Sequence, residues 1–272
     1  MHLVDVQRRS SNKTDIYLCF ERLLTACANG TDSEVAASRA DPGDGLLRLA
    51  ADVEAHGQDA AALSLYQRAA TASGATARAY VQLGDASLRA GQIGPAINAY
   101  RTALSKAPDD AEALLGLGSA LMRQGKPEEA LDALAQAAPI VKTAAAYDRL
   151  GIAQTLAGRL PEAQASFESG LALAPNDLDL QTNWALAAAL DGKDNAAVEK
   201  MRQVVQSPAA DLRHRRDFVV LLGIIGRTDE ARAAAPAGLS RRELQSLLDR
   251  AASIRAMATI KARAKALGTI VG

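Results

Sequence analysis

Cysteine is almost missing from this sequence. Cys19 and Cys27 are the two, and none follows Cys27. A disulfide framework for the fold and a cysteine-based zinc site are thereby excluded. Histidine is nearly as scarce, and His2, His56 and His214 lie far apart. No H-E-x-x-H or G-x-S-x-G segment occurs, so neither a histidine metal site nor a nucleophile–histidine triad is expected. Aromatic residues make up 3% of the chain, too few to fill a typical sheet core. Neither charge sign dominates. The 31 basic and 31 acidic residues balance, leaving no global field to attract nucleic acid or an anionic membrane surface. No apolar run approaches the ~20 residues a spanning helix needs. No glycine-rich phosphate cradle is present, and Gly43-Asp44-Gly45 reads as a turn before the first helix.

What the chain does have is small apolar residues, above all alanine, within a hydrophobic fraction of 49%. Such residues favour closely packed helices. They recur with a period of about 34 residues. Counting from Ala77, Tyr80 is fourth, Leu83 seventh, Gly84 eighth, Gly91 fifteenth, Ala96 twentieth, Tyr100 twenty-fourth, Ala103 twenty-seventh and Pro108 thirty-second. The unit 111–143 is one residue short and repeats the pattern with Leu114, Leu117, Gly118, Leu121, Ala130, Leu134 and Ala137. The unit 144–177 has Tyr147, Leu150, Gly151, Ala163, Phe167, Gly170 and Pro175. An earlier unit, 43–76, supplies Leu46, Leu49, Ala50, Ala62, Tyr66 and Ala69. A later one, 178–211, keeps Trp184, Ala185, Ala197, Met201 and Val204, and a partial sixth spans 212–238.

This pattern resembles the tetratricopeptide repeat (TPR). The resemblance implies an all-α fold, a right-handed superhelix of antiparallel helix pairs A and B. Small residues at the eighth and twentieth positions let the two helices approach. Large ones at the twenty-fourth fill the space between repeats. Gly91, Gly125 and Gly158 stand where helix A should end in a left-handed conformation. Pro108 and Pro175 cannot continue helix B, and Asp109-Asp110 and Asn176-Asp177 can cap the next helix A. One repeat cannot bury its own apolar face, so the array is expected to be stable only as a whole.

Both ends depart from the pattern. Pro236 and Gly238 interrupt the array before the segment 239–272. Ser240-Arg241-Arg242-Glu243 forms a capping box, and Leu244, Leu247, Leu248 and Ala251 follow at helical spacing. This helix is expected to cover the open edge of the last repeat. The basic residues Lys261, Arg263 and Lys265 either continue it or begin a loose tail. At the other end, Arg8, Arg9 and Lys13 precede a short apolar run from Ile16 to Phe20, then Leu23-Leu24-Thr25-Ala26-Cys27. This resembles the lipobox of bacterial lipoproteins, which implies a leader at 1–26, acylation of Cys27 and a flexible tether at 27–42. Ala28 implies the outer membrane. Glu21 and Arg22 interrupt the apolar run, and the other reading is an N-terminal helix with an ordinary buried cysteine.

The remaining motifs have structural readings. Glu128-Glu129 and Asp109-Asp110 fall at helix N-termini, where negative charge offsets the macrodipole. Arg213-His214-Arg215-Arg216 reads as a solvated face of the last helix A, and Trp184 as a repeat-core residue. No catalytic residue, metal or cofactor is expected, and no small-molecule substrate.

In TPR arrays helix A lines the inner groove through positions two, five, nine and twelve. That rule implies Arg78, Val81, Asp85 and Leu88, then Glu112, Leu115, Ser119 and Met122, then Ala145, Asp148, Ile152 and Thr155. The lysine and asparagine clamp of chaperone-binding TPRs is not visible at these positions. Lipobox, repeats and composition together resemble the TPR lipoproteins of tight-adherence (Tad/Flp) pilus systems, the TadD type. This implies a periplasmic, outer-membrane-anchored, non-catalytic scaffold that helps pilus or secretin components assemble. The alternative is a soluble cytoplasmic adaptor that binds a peptide or helix of a partner.

Overall fold

The computed structural model describes residues 42–268. The leader, the tether and the lipidation site Cys27 all lie outside the described residues, apart from Pro42. Within 42–268 there are helices and no strand. Six successive units carry them: α1 (Pro42–Ala55) with α2 (Asp59–Thr71), α3 (Ala77–Arg89) with α4 (Ile93–Lys106), and α5 (Ala111–Arg123) with α6 (Pro127–Val141). These are followed by α7 (Ala144–Leu156) with α8 (Leu160–Leu173), α9 (Leu178–Leu190) with α10 (Asp194–Gln206), and α11 (Leu212–Ile224) with the short α12 (Thr228–Ala233). Two further helices close the chain, α13 (Arg241–Ala256) and α14 (Ile260–Leu267). Gly43, Asp44 and Gly45 lie inside α1 rather than in a turn before it.

Two kinds of junction impose the period. Every A-to-B turn contains a glycine at positive φ: Gly57, Gly91, Gly125, Gly158, Gly192 and Gly226. At Gly91, for example, the chain reverses through Gly91 N–H to Leu88 O (3.1 Å) and Gln92 N–H to Ser87 O (2.8 Å). Every B-to-A junction ends in a side-chain cap on the next helix A. Thr76, Asp110, Thr143, Asp177 and Asp211 each accept a bond from a backbone N–H in the first turn. The shortened third unit loses its residue here. Helix α6 runs through Pro139 and stops at Lys142, which takes the left-handed conformation (φ 50°). It is the one non-glycine residue among those described with positive φ.

The core is a seam of alanines with one large side chain per repeat. Ala62, Ala96, Ala130, Ala163, Ala197 and Ala231, all at the twentieth position, are at most 1% exposed. So are Tyr66, Tyr100, Leu134, Phe167 and Met201 at the twenty-fourth. The large residue presses on helix A of its own repeat. A Cβ placed on Gly84 would stand 2.6 Å from the Tyr100 ring, one on Gly118 2.5 Å from Leu134, and one on Gly151 2.5 Å from the Phe167 ring. No real side chain fits at those distances.

The sixth unit is truncated, and α13 takes the place of a full helix B. Its capping box at Ser240 and Glu243 forms, and Leu247, Leu248, Ala251 and Ile254 are buried against the last apolar cluster. Gly223 on α11 permits the approach, since a Cβ there would meet Ala251 at 2.7 Å. Lys261, Arg263 and Lys265 neither extend α13 nor trail from it. The chain turns at Met257, which is extended, and forms α14, which packs back on α7 and α9.

Gly118→Trp should therefore separate α5 from α6 and destabilise the array by about 3 kcal/mol or more through overpacking. Thermal melting followed by circular dichroism tests this, and an unchanged melting curve would contradict the helix pairing described.

Candidate functional site

Helices A of the second, third and fourth repeats turn residues into one shared hollow. The hollow between α3, α5 and α7 is an open cleft of about 690 Å³. Leu88, Leu115, Met122 and Ile152 form its apolar wall, each only partly buried. Asp85, Glu112 and Ser119 also line it. Seven of the residues implied by the repeat rule thus share one cavity.

Four others do not. Val81 is 3% exposed and belongs to the same apolar cluster as Ala96, Ile97 and Tyr100, so it is wall rather than surface. Position five sits at the edge of the helix face, where α3 meets its neighbours. Arg78 lines a separate hollow with Arg48 and Gln82. Asp148 is turned toward α9, where Asn183 Nδ2 donates to Oδ1 at 2.9 Å. Thr155 lies beneath α14, its hydroxyl donating to Gly151 O at 2.8 Å.

The cleft also contains residues that the position rule passes over: Gln82, Tyr100, Gly116, Arg123 and Arg149. Tyr100 belongs to helix B. Its ring reaches through to the inner face because Gly84 and Gly116 both lie against it without a side chain. The Tyr100 hydroxyl then donates to Asp85 Oδ1 at 2.6 Å. The glycine at Gly116 was a readable signal, since it occupies a helix interior with no turn to make.

Buried polar pairs set the electrostatics of this face. Burial pushes the Asp85 carboxyl above its ordinary range, against the bond from Tyr100 and the charge of Arg89. Burial and the Asp85 bond raise the Tyr100 phenol far above ordinary titration. One repeat earlier Tyr66 donates to Glu54 (3.1 Å), and burial first, then that bond, raise its phenol to about 12. Arg89 pairs with Glu54, and Arg123 donates to Leu88 O at 3.1 Å. Asp148 is raised by burial, partly offset by its bond from Asn183. The result is a cleft with an apolar wall, a rigid tyrosine–carboxylate floor and both charge signs at its rim. It can hold apolar side chains of a polypeptide.

The basic cluster near residue 214 is not simply a solvated face. His214 is buried, with Nδ1 2.6 Å from Asp211 Oδ1 and Nε2 3.1 Å from Asp179 Oδ1, while Arg213 also pairs with Asp179. These contacts tie α11 to α9. His56 lies in the turn after α1, away from this group. Trp184 is partly buried between two apolar clusters, and its Nε1 donates to Glu168 at 3.2 Å. Among the described residues no group of His, Cys, Asp and Glu side chains could hold a metal ion, and no helix is long and apolar enough to cross a membrane.

The tetratricopeptide-repeat family model matches residues 81–148. No curated protein matches the chain. Several solved structures do. MamA from Desulfovibrio magneticus RS-1 aligns with a TM-score of 0.58 at 18% identity, covering 62% of this chain and 96% of that one. YrrB, described as a TPR protein with an unusual peptide-binding site, aligns at 0.56 and 19%, covering 64% and 90%. PilF of Pseudomonas aeruginosa aligns at 0.56 and 20%, covering 71% and 88%. Identities this low establish a shared fold alone.

Asp217 offers a test of the electrostatics. Burial pushes its carboxyl up to about 6, against the opposing pull of Arg213, His214 and Arg216. A group raised in the folded state favours folding most fully below its unfolded value near 3.9, and that contribution is lost as pH rises through about 6. Asp217→Asn should match the wild type near pH 3.5 and exceed its stability by roughly 2 kcal/mol at pH 7.5. Urea unfolding of both proteins across that range checks the sign.

Proposed function

We propose that this chain, a TPR α-solenoid, is a non-catalytic scaffold that grips a segment of a partner protein on its inner face. The observation that carries this reading is the open cleft between α3, α5 and α7, where Leu88, Leu115, Met122 and Ile152 remain partly accessible. An amphipathic helix or extended segment with a few apolar side chains fits such a surface. Asp85 and Glu112 together with Arg123 and Arg149 in the lining disfavour a ligand of one charge sign. A C-terminal carboxylate clamp is not the mode, because positions five and nine carry no lysine or asparagine. YrrB, of the same fold, is described as binding peptide.

The second part of the proposal concerns place and task. The pattern Leu23-Leu24-Thr25-Ala26-Cys27, followed by Ala28, supports a lipid anchor at Cys27 and a position at the periplasmic face of the outer membrane. There the scaffold would assist assembly of a Tad/Flp-type pilus or secretion apparatus, gripping pilus or secretin components. What supports this part is the sequence pattern at the N-terminus. A soluble cytoplasmic adaptor would use the same cleft without an anchor.

Two measurements separate these statements. Leu115→Glu places a charge in the apolar wall at a partly exposed position. It should keep the helical spectrum while reducing recovery of the bound partner at least roughly 10-fold, the loss expected at a central interface contact. Equal recovery by both proteins would overturn the cleft as the binding site. Metabolic palmitate labelling of the bacterial host should label the wild type and not Cys27→Ala; no label on either points to the soluble adaptor.

A further inference from the structure

The inner groove does not end with the open cleft. Ile152 lines the cleft on one side and, on the other, a narrow gap of about 70 Å³ shared with Thr155, Leu186 and two residues of α14, Ala264 and Leu267. Helix α14 therefore lies in the continuation of the same groove, against helices A of the fourth and fifth repeats.

Its attachment is slight. It has eight residues, with Thr259 as its N-cap, accepting from Ala262 N–H at 3.2 Å. Helices so short are unstable alone in water, so its helicity depends on the seat. Only Ala264 and Leu267 are buried, and Ile260 is 41% exposed. At its N-terminal end Lys261 pairs with Glu128, a contact between two exposed side chains that salt screens. That contact holds the Glu128 carboxyl below its ordinary range. The backbone at Met257 and Thr259 is extended on either side of Ala258, and Arg263 Nε donates to Met257 O at 2.8 Å across this junction. Helix α14 thus has two buried anchors, both in the last apolar cluster, fewer than the full helices of the repeats carry.

We propose that α14 is an internal ligand of the groove, occupying its C-terminal half as a partner's helix does. Its chemistry then identifies the class of partner segment the groove accepts: a short helix with a small residue and a leucine three positions apart, preceded by a lysine, as in Lys261, Ala264 and Leu267. A partner that engages the whole groove displaces α14 and joins the seat to the open cleft through Ile152. This inference rests on the inner face being the partner site.

The test uses the full chain and a labelled synthetic peptide spanning residues 257–268. Leu267→Asp, with Ala264→Asp as a second variant, should remove hydrogen-exchange protection from 260–267 while leaving α7 and α9 protected. Both variants should bind the peptide at least 10-fold more tightly than the wild type, and a peptide with the Leu267→Asp change should not bind. Equal binding to wild type and variants, or binding to none of them, overturns the inference and makes α14 a fixed cap. Loss of the solenoid in both variants overturns it as well, because α14 would then belong to the core. The peptide assay needs no partner, so its failure is distinct from a failure of the Leu115→Glu recovery experiment.

Discussion

The solenoid depends on one contact, repeated along the chain: a large side chain at the twenty-fourth position of a repeat seated on a glycine or alanine at the eighth. Tyr100 on Gly84, Leu134 on Gly118 and Phe167 on Gly151 leave no room for even a methyl group. Close helix approach buries the alanines at the twentieth position, which is why a chain poor in aromatics can still build a core. The helices are short, at 13 to 15 residues in the central repeats. Isolated helices of that length are marginal, so their stability comes from this stacking rather than from propensity.

The same contact shapes the functional surface. With helix B spent on packing, helix A presents its opposite face inward. Where two glycines flank one tyrosine, the ring passes between the helices, and its hydroxyl meets the groove at Asp85. Core and cleft are in this sense one arrangement. The half-buried carboxylates Asp85 and Asp148 each accept a hydrogen bond, from Tyr100 and Asn183, that offsets part of the cost of their burial.

The C-terminal end shows how an open array is closed. Helix α13 covers the apolar edge of α11, with Leu248 and Ala251 coming against Gly223. Helix α14 does something different, since it covers part of the inner face rather than the end. The cleft between α3, α5 and α7 stays open.

How much of this was legible beforehand follows from the physics of each feature. The repeat period, the helix ends at Gly91, Gly125 and Gly158, the caps at Asp110 and Asp177, and the box at Ser240 and Glu243 are local. Each is decided by a few neighbouring residues, so the amino-acid sequence alone determined them. The seven cleft residues were readable because groove position follows from helix phase. Val81 was misplaced because the edge of a helix face is core or surface according to how closely the next repeat stacks. The passage of the Tyr100 ring between α3 and α5, and the tie of His214 to Asp179, join groups on different helices. The return of α14 onto α7 and α9 joins segments about a hundred residues apart. Only the tertiary structure decided these, because nothing local specifies which surfaces a stacked array brings face to face.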